Sequence, residues 1–170
     1  SALGVELGVA AADRAPWHPG RCASVHRPDG TVVGHVGELH PKVVTALDLP
    51  PRTVAGELDV DALIAATGEP VQAHRLSTYP QATTDVALVV EESVPAASVE
   101  AGLRDGTGDD LEALVLFDVY RGGQVGEGRK SLAYRLVVRA PDRTLRTEEV
   151  NALRDRAVAA VAERTGAVQR

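Results

Sequence analysis

A chain of 170 residues that is 44% hydrophobic and carries a formal charge of −6 can fill one generous core or two small ones, and is too apolar for a disordered or collagenous chain. Its apolar runs are broken within a few residues by charges or turn formers, which excludes a transmembrane helix or signal-peptide core and makes the cytoplasm the expected location. The acidic balance argues against indiscriminate polyanion binding, and the single cysteine, Cys22, excludes an internal disulfide and a CxxC zinc or redox pair.

The first seventy residues read as β-rich with short helices. Residues 22–27 and 32–39 form two expected strands around a turn at Pro28, Asp29 and Gly30. Pro41 suits the first position of a short helix over 42–47, with His40 as a capping residue, and Pro50 and Pro51 stop it. A third strand is expected over 53–60, then a helical turn over 61–66 closed by Gly68 and Pro70. This stretch is too small and irregular to be comfortable alone, so it reads as part of something larger. Gly68, Pro70, Ser77 and Pro80 break any periodicity and mark the best linker.

From residue 84 the pattern is cleaner. Strict alternation over 85–91 puts Val86, Leu88 and Val90 on one face of a strand. A helix follows over 95–104, with Ala96, Val99 and Leu103 at helical spacing and Gly106 and Gly108 as its terminators. Strands over 112–120 and 130–139 flank a Gly-rich loop at 121–128. Thr147 is the expected N-cap of a last helix whose buried stripe is Val150, Leu153, Ala157 and Val161, with Gly166 closing it and 167–170 as a short final strand. The order βαββαβ is the ferredoxin-like arrangement, in which two helices cover one sheet face and the other stays open. RNA-binding modules use such a face as a platform.

Alternation over 130–139 sorts the side chains. Leu132, Tyr134, Leu136 and Val138 belong to the core face, leaving Arg135 and Arg139 on the open one, about 13 Å apart at 3.3 Å per residue, a span that reaches successive phosphates. Between residues 118 and 146 stand seven basic residues, Arg121, Arg129, Lys130, Arg135, Arg139, Arg143 and Arg146, against three acidic ones, a local charge of +4 inside an acidic chain. Tyr120, of opposite parity to Val115, Phe117 and Val119, is the candidate stacking residue.

Two groups of motifs carry a family resemblance. The runs FDVYRG (117–122) and GRKSLAYRLVVRAPDRTLRTEEV (128–150) resemble the terminal anticodon-binding domain of bacterial phenylalanine–tRNA ligase β subunits. Upstream, WHPGR (17–21), GHVGELHP (34–41) and GELDVDAL (56–63) are similar to the end of that subunit's catalytic-like module. Thr84 stands where the family usually has an arginine before the strand-opening aspartate, here Asp85.

The fold class implied is α+β: a β-rich fragment of an inactive, class II synthetase-like module over 1–72, a linker over 73–84, and a ferredoxin-like domain over 85–170. The resemblance further implies recognition of the tRNA(Phe) anticodon within a ligase that uses ATP and magnesium, with no cofactor and no catalytic residue in this stretch. Its expected partners are tRNA(Phe) and a synthetase α subunit in an α2β2 assembly, with neither membrane nor DNA. The residues expected to touch RNA are Tyr120, Arg121, Arg129, Lys130, Ser131, Arg135 and Arg139. The competing expectation is a ferredoxin-like protein-interaction or regulatory module that never meets RNA.

Other chemistries find little support. His18, His26, His35, His40, Cys22 and Glu38 crowd one stretch, but their spacing matches no zinc ligand frame. The carboxylate pairs Glu91–Glu92, Asp109–Asp110 and Glu148–Glu149 read as solvated turns and helix starts. The glycines of 122–128 lack the strand-then-helix setting and the GK[ST] ending of a phosphate loop.

Overall fold

The computed structural model describes residues 4–67 and 78–170. The chain divides into two compact units, Ser1–His74 and Arg75–Arg170.

In the first unit, strands β1 (Gly8–Ala12), β2 (Trp17–His26), β3 (Val32–Leu39) and β4 (Val54–Leu58) form one antiparallel sheet in that order. The turn between β2 and β3 is as expected: Gly30 takes φ 84° and the Asp29 carboxylate accepts the Thr31 amide at 2.9 Å. β2 begins five residues earlier than its sequence suggests. A register shift between Trp17 and Cys22 absorbs Pro19 and Gly20 and lets Trp17 pair with Leu39. β1 was not expected at all, because Gly-Val-Ala-Ala-Ala has little strand preference and exists through its pairing with β2.

Helix α1 (Pro41–Ala46) opens with His40, whose Nδ1 accepts the Lys42 amide at 3.1 Å, and α2 (Val60–Ala65) opens on the Asp59 carboxylate. Gly68 and Pro70, expected to close α2, lie outside the described residues. Burial is modest, as the length implied. Trp17, Cys22, Leu39 and Val44 form one small cluster, and Val25, Val33 and Leu63 another.

The second unit runs β5 (Ala82–Glu91), α3 (Ala96–Thr107), a 3-10 turn (Gly108–Asp110), β6 (Leu111–Tyr120), β7 (Arg129–Val138), α4 (Thr147–Thr165) and β8 (Val168–Gln169). The sheet order is β6–β7–β5–β8 with every neighbour antiparallel, which is the expected βαββαβ topology. Part of the stretch expected to be linker, 73–77, lies outside the described residues. Residues 82–84 of it are strand, since Ala82, Thr83 and Thr84 pair with Val138, Val137 and Leu136.

One face of this sheet is the core. Val86, Leu88 and Val90 of β5 and Leu132, Tyr134, Leu136 and Val138 of β7 pack under Val99 and Leu103 of α3 and the α4 stripe Val150, Leu153, Ala157 and Val161. Tyr134 is wholly buried, its hydroxyl donates to the Ala96 carbonyl at 3.2 Å, and burial, then the charge of Glu100, pushes its ionisation far above the usual tyrosine range.

Thr147 is the first helical residue of α4 rather than its cap. The Glu149 side chain reaches back to accept the Arg146 amide at 2.9 Å and so fixes the boundary one residue earlier. Gly166 ends the helix in the left-handed region, as expected.

Gly106 does not stop α3 but sits within it. A Cβ there would lie 2.5 Å from the Ala157 Cα and 2.7 Å from the Arg156 carbonyl oxygen of α4, and one on Gly102 would lie 3.0 Å from the Val161 Cα. Two glycines four residues apart thus let the helices approach backbone to backbone. Gly106→Ala should therefore lower the stability of this unit by about 1–3 kcal/mol through overpacking. Gly123→Ala, where an added Cβ meets nothing within 4 Å, should leave the thermal midpoint nearly unchanged in the same melting experiment.

Candidate RNA-binding face

Because β5 and β7 pair without a break, the sides of their residues follow from the register. Asp85, Ala87, Val89 and Glu91 lie opposite Arg135, Ala133, Ser131 and Arg129, all turned away from the helices. The middle of this open face is small and shallow. Its ends are charged.

The guanidinium of Arg135 closes on Asp85 with two bonds of 2.7 and 2.8 Å, and Arg129 holds Glu91 at 2.9 Å. At the hairpin end Arg121 holds Glu92 through contacts of 2.8 to 3.1 Å, and Arg139, just past β7, pairs with Glu112 at 2.7 Å. The hydrogen bonds from Arg135 hold the Asp85 carboxyl below its ordinary range, and those from Arg121 do the same for Glu92. These four arginines all meet carboxylates, so the basic cluster of the sequence is locally compensated. The partners of Arg121, Arg129 and Arg135 come from β5 or the residue after it, 29 to 50 positions away in sequence.

β6 departs from simple alternation. Leu114 and Leu116 oppose Leu136 and Tyr134 on the core side, while Val115 opposes Arg135 on the open side. A register shift between Leu116 and Asp118 then makes Phe117 the extra residue. Val115 and Phe117 are therefore exposed rather than buried, at 49% and 54%, and the Arg135 guanidinium lies over the Phe117 ring at 5.6 Å. Parity in the sequence groups Val115, Phe117 and Val119 on the side opposite Tyr120, but a run of apolar residues marks neither which parity faces the helices nor where a bulge falls. The shift also returns Tyr120 to the open side, opposite Ser131. Tyr120 thus reaches the open side through a bulge rather than through uniform parity.

Gly122 lies against the end of the Tyr120 side chain, so a Cβ there would push the ring aside. Val125 is buried within the same loop, and the Glu92 amide donates to the Gly128 carbonyl at 2.8 Å.

Two of the sequence-selected residues are not freely presented. Lys130 has core-side parity opposite Val90, is 9% exposed, and donates from Nζ to the Glu92 carbonyl at 2.7 Å. Ser131 faces the open side but is only 4% exposed beside Tyr120. Arg170, which the basic count left out, follows β8: its amide donates to the Ala87 carbonyl, and its guanidinium lies 5.7 Å from the centre of the Tyr120 ring.

In the first unit the histidines serve separate partners. The His18 and His40 rings stack with centres 6.3 Å apart, while Arg14 contacts His35 at 3.3 Å and Glu57 lies 3.9 Å from it. Among the described residues no three metal-ligating side chains converge. Two of the three carboxylate pairs also have structural partners, Glu91 and Glu92 in the ion pairs above and Glu149 in the α4 cap.

Residues 77–170 match the family model for the ferredoxin-fold anticodon binding domain, and residues 1–60 match that for the phenylalanyl-tRNA synthetase beta chain CLM domain. Among curated proteins, the chain is 61% identical over its whole length to the phenylalanine–tRNA ligase beta subunit of Thermobifida fusca. It is 55% identical over 98% of its length to the one from Streptomyces avermitilis, and 52% identical over 99% to the one from Corynebacterium efficiens. The chain spans about a fifth of the length of these relatives, 21%, 20% and 20% respectively. The chain accordingly belongs to the phenylalanine–tRNA ligase β-subunit family, as a part of it that carries the ferredoxin-fold anticodon-binding domain together with CLM-domain sequence.

Proposed function

We propose that the open face of β6–β7–β5–β8 receives the anticodon region of tRNA(Phe), within a cytoplasmic ligase that charges this tRNA with phenylalanine. The observation that carries the reading is an uncovered sheet face bearing two exposed aromatic rings, Phe117 and Tyr120, beside arginines held in fixed positions. Unpaired bases stack on aromatic side chains with a gain of about 1–3 kcal/mol per base, and arginine contacts to phosphate set the register without reading sequence.

In this reading Tyr120 is the stacking platform, and the Ser131 hydroxyl beside it becomes a hydrogen-bonding group once the ring shifts. Arg121, Arg129, Arg135 and Arg139 engage phosphates by exchanging a carboxylate for a phosphate oxygen. Lys130 acts through its hold on the Glu92 carbonyl, which steadies the strand end that carries Arg129. Exposed ion pairs of this type add little to stability, so the exchange is accessible. The same pairing suppresses attraction for arbitrary polyanions, in keeping with the net charge of −6.

The chain contributes no catalytic group in this proposal. Its residues do not fit a magnesium–nucleotide site, because Glu91 and Glu92 are committed to arginines and the loop over 122–128 joins two strands rather than a strand and a helix. ATP and magnesium would be handled elsewhere in an α2β2 assembly with a synthetase α subunit. The first unit would be a fragment of a class II synthetase-like, inactive module that packs on larger neighbours. Its exposed Val9, Val54, Leu58 and Ile64 support that role.

A second reading, a protein-interaction or regulatory surface, is favoured by one observation: compensated charges around exposed Val115, Phe117 and Val168 also suit a protein partner.

The two readings separate in the assembled full-length enzyme. Tyr120→Ala should weaken tRNA(Phe) binding by about 1–3 kcal/mol and lower kcat/KM for tRNA in aminoacylation. Phenylalanine-dependent ATP–pyrophosphate exchange should be unchanged. Unaltered aminoacylation by Tyr120→Ala and by Arg135→Glu would defeat the RNA reading and leave the protein-interaction one standing.

A pH test addresses the ion pairs themselves. Asp85 ionises more readily in the folded than in the unfolded chain, so its contribution to stability is complete above the unfolded carboxylate range near pH 4 and is lost as pH falls through the lower folded value. Denaturant titrations from pH 6 down to pH 2.5, values on the order of this range, should show a shallower acid limb for Asp85→Asn than for the parent protein. An identical acid limb would mean that Arg135 is not held by Asp85 in solution.

A further inference from the structure

Four arginines around the open face, Arg121, Arg129, Arg135 and Arg139, meet Glu92, Glu91, Asp85 and Glu112. Arg170 differs. Its amide donates to the carbonyl of Ala87 in β5, and Val168, two residues earlier, opposes Val89 on the open side, so alternation turns the Arg170 side chain onto that same side. There its guanidinium donates to the neutral Gln124 amide oxygen and lies 5.7 Å from the centre of the Tyr120 ring. Among the described residues its guanidinium forms no ion pair with an aspartate or glutamate side chain, unlike those of the four arginines above.

A guanidinium at that distance is near the outer limit of cation–π contact, about 6 Å from the ring centre, and Tyr120 keeps 37% of its surface exposed. The charge therefore lies over the ring, which is left partly open. Of these five arginines, Arg170 is the one whose guanidinium meets a neutral side chain rather than an aspartate or glutamate, and it lies at the ring that a base would stack on.

We propose that Arg170 is the phosphate-binding residue of the Tyr120 subsite: a nucleotide whose base stacks on Tyr120 delivers its phosphate to the Arg170 guanidinium, which leaves Gln124 to receive it. The inference rests on the stacking role proposed for Tyr120. Arginine suits the task because its planar fork matches two phosphate oxygens and it stays charged at any relevant pH. Little has to be broken first, since Gln124 is a neutral partner and there is no aspartate or glutamate side chain to displace. Arg170 would accordingly dominate the salt dependence of binding at this subsite, while the four paired arginines exchange one anion for another and release fewer counterions.

The test is a tRNA(Phe) titration of the full-length assembled enzyme at several salt concentrations, for the parent, Arg170→Ala, Arg170→Lys and Tyr120→Ala forms. Arg170→Ala should weaken binding several-fold at low salt and flatten the plot of log Kd against log salt by about 0.7, the contribution of one phosphate contact to a single strand. Arg170→Lys should restore the slope, because the charge remains, and neither variant should alter the thermal midpoint. An unchanged slope in Arg170→Ala overturns the proposal, and so does tighter binding, which would make Arg170 a competitor for the ring. If Tyr120→Ala binds as tightly as the parent, the stacking reading itself fails. If Tyr120→Ala weakens binding while Arg170→Ala leaves affinity and slope alone, only the role of Arg170 falls.

Discussion

Ten residues of β5 lie opposite ten of β7 without a break, from Ala82 against Val138 to Glu91 against Arg129. In a pleated ladder a slip of one residue would turn every side chain to the other face. Here such a slip of β5 would bring Asp85 under the helices and expel Leu88 into water, and a slip of β7 would do the same to Arg135 and to Leu132 and Tyr134. The burial of those apolar side chains and the lodging of the Tyr134 hydroxyl on the Ala96 carbonyl pin the register. The charged and small residues of the open face are the complement of that choice. The core and the candidate RNA surface are thus two consequences of one pairing.

The helices reinforce it through close packing. Gly102 and Gly106 bring α3 against Ala157 and Val161 of α4 at backbone distance, so both helices fit over one face of a narrow sheet. Nothing in this arrangement requires a cover on the other side. The exposed Val115, Phe117 and Tyr120 are the result.

Charge on that face is organised by proximity rather than composition. Asp85 and Arg135 are 50 residues apart in sequence, and Arg129 and Glu91 are 38 apart, yet the strands set them side by side. A basic count over 118–146 overstates the free positive charge, because the compensating carboxylates Asp85, Glu91 and Glu92 lie outside that window. The opposite error concerns Arg170. It is isolated in sequence from the basic cluster but falls beside Tyr120 once β8 joins β5.

The sequence by itself determined whatever depends on local pattern. Alternation over 130–139 separated Leu132, Tyr134, Leu136 and Val138 from Arg135, the 3.6-residue stripe of α4 named its buried residues, and Pro41, Gly30 and Gly166 marked turns and helix ends through their backbone geometry. Tertiary structure alone decided what depends on distant neighbours. The bulge at Phe117 follows from fitting β6 to β7, and the role of Gly106 follows from the backbone of α4. The pairing of each guanidinium, and the meeting of Arg170 with Tyr120, follow from the order in which strands lie side by side. Local propensity acts over a few residues, whereas these features are set by atoms that only the folded sheet brings within reach.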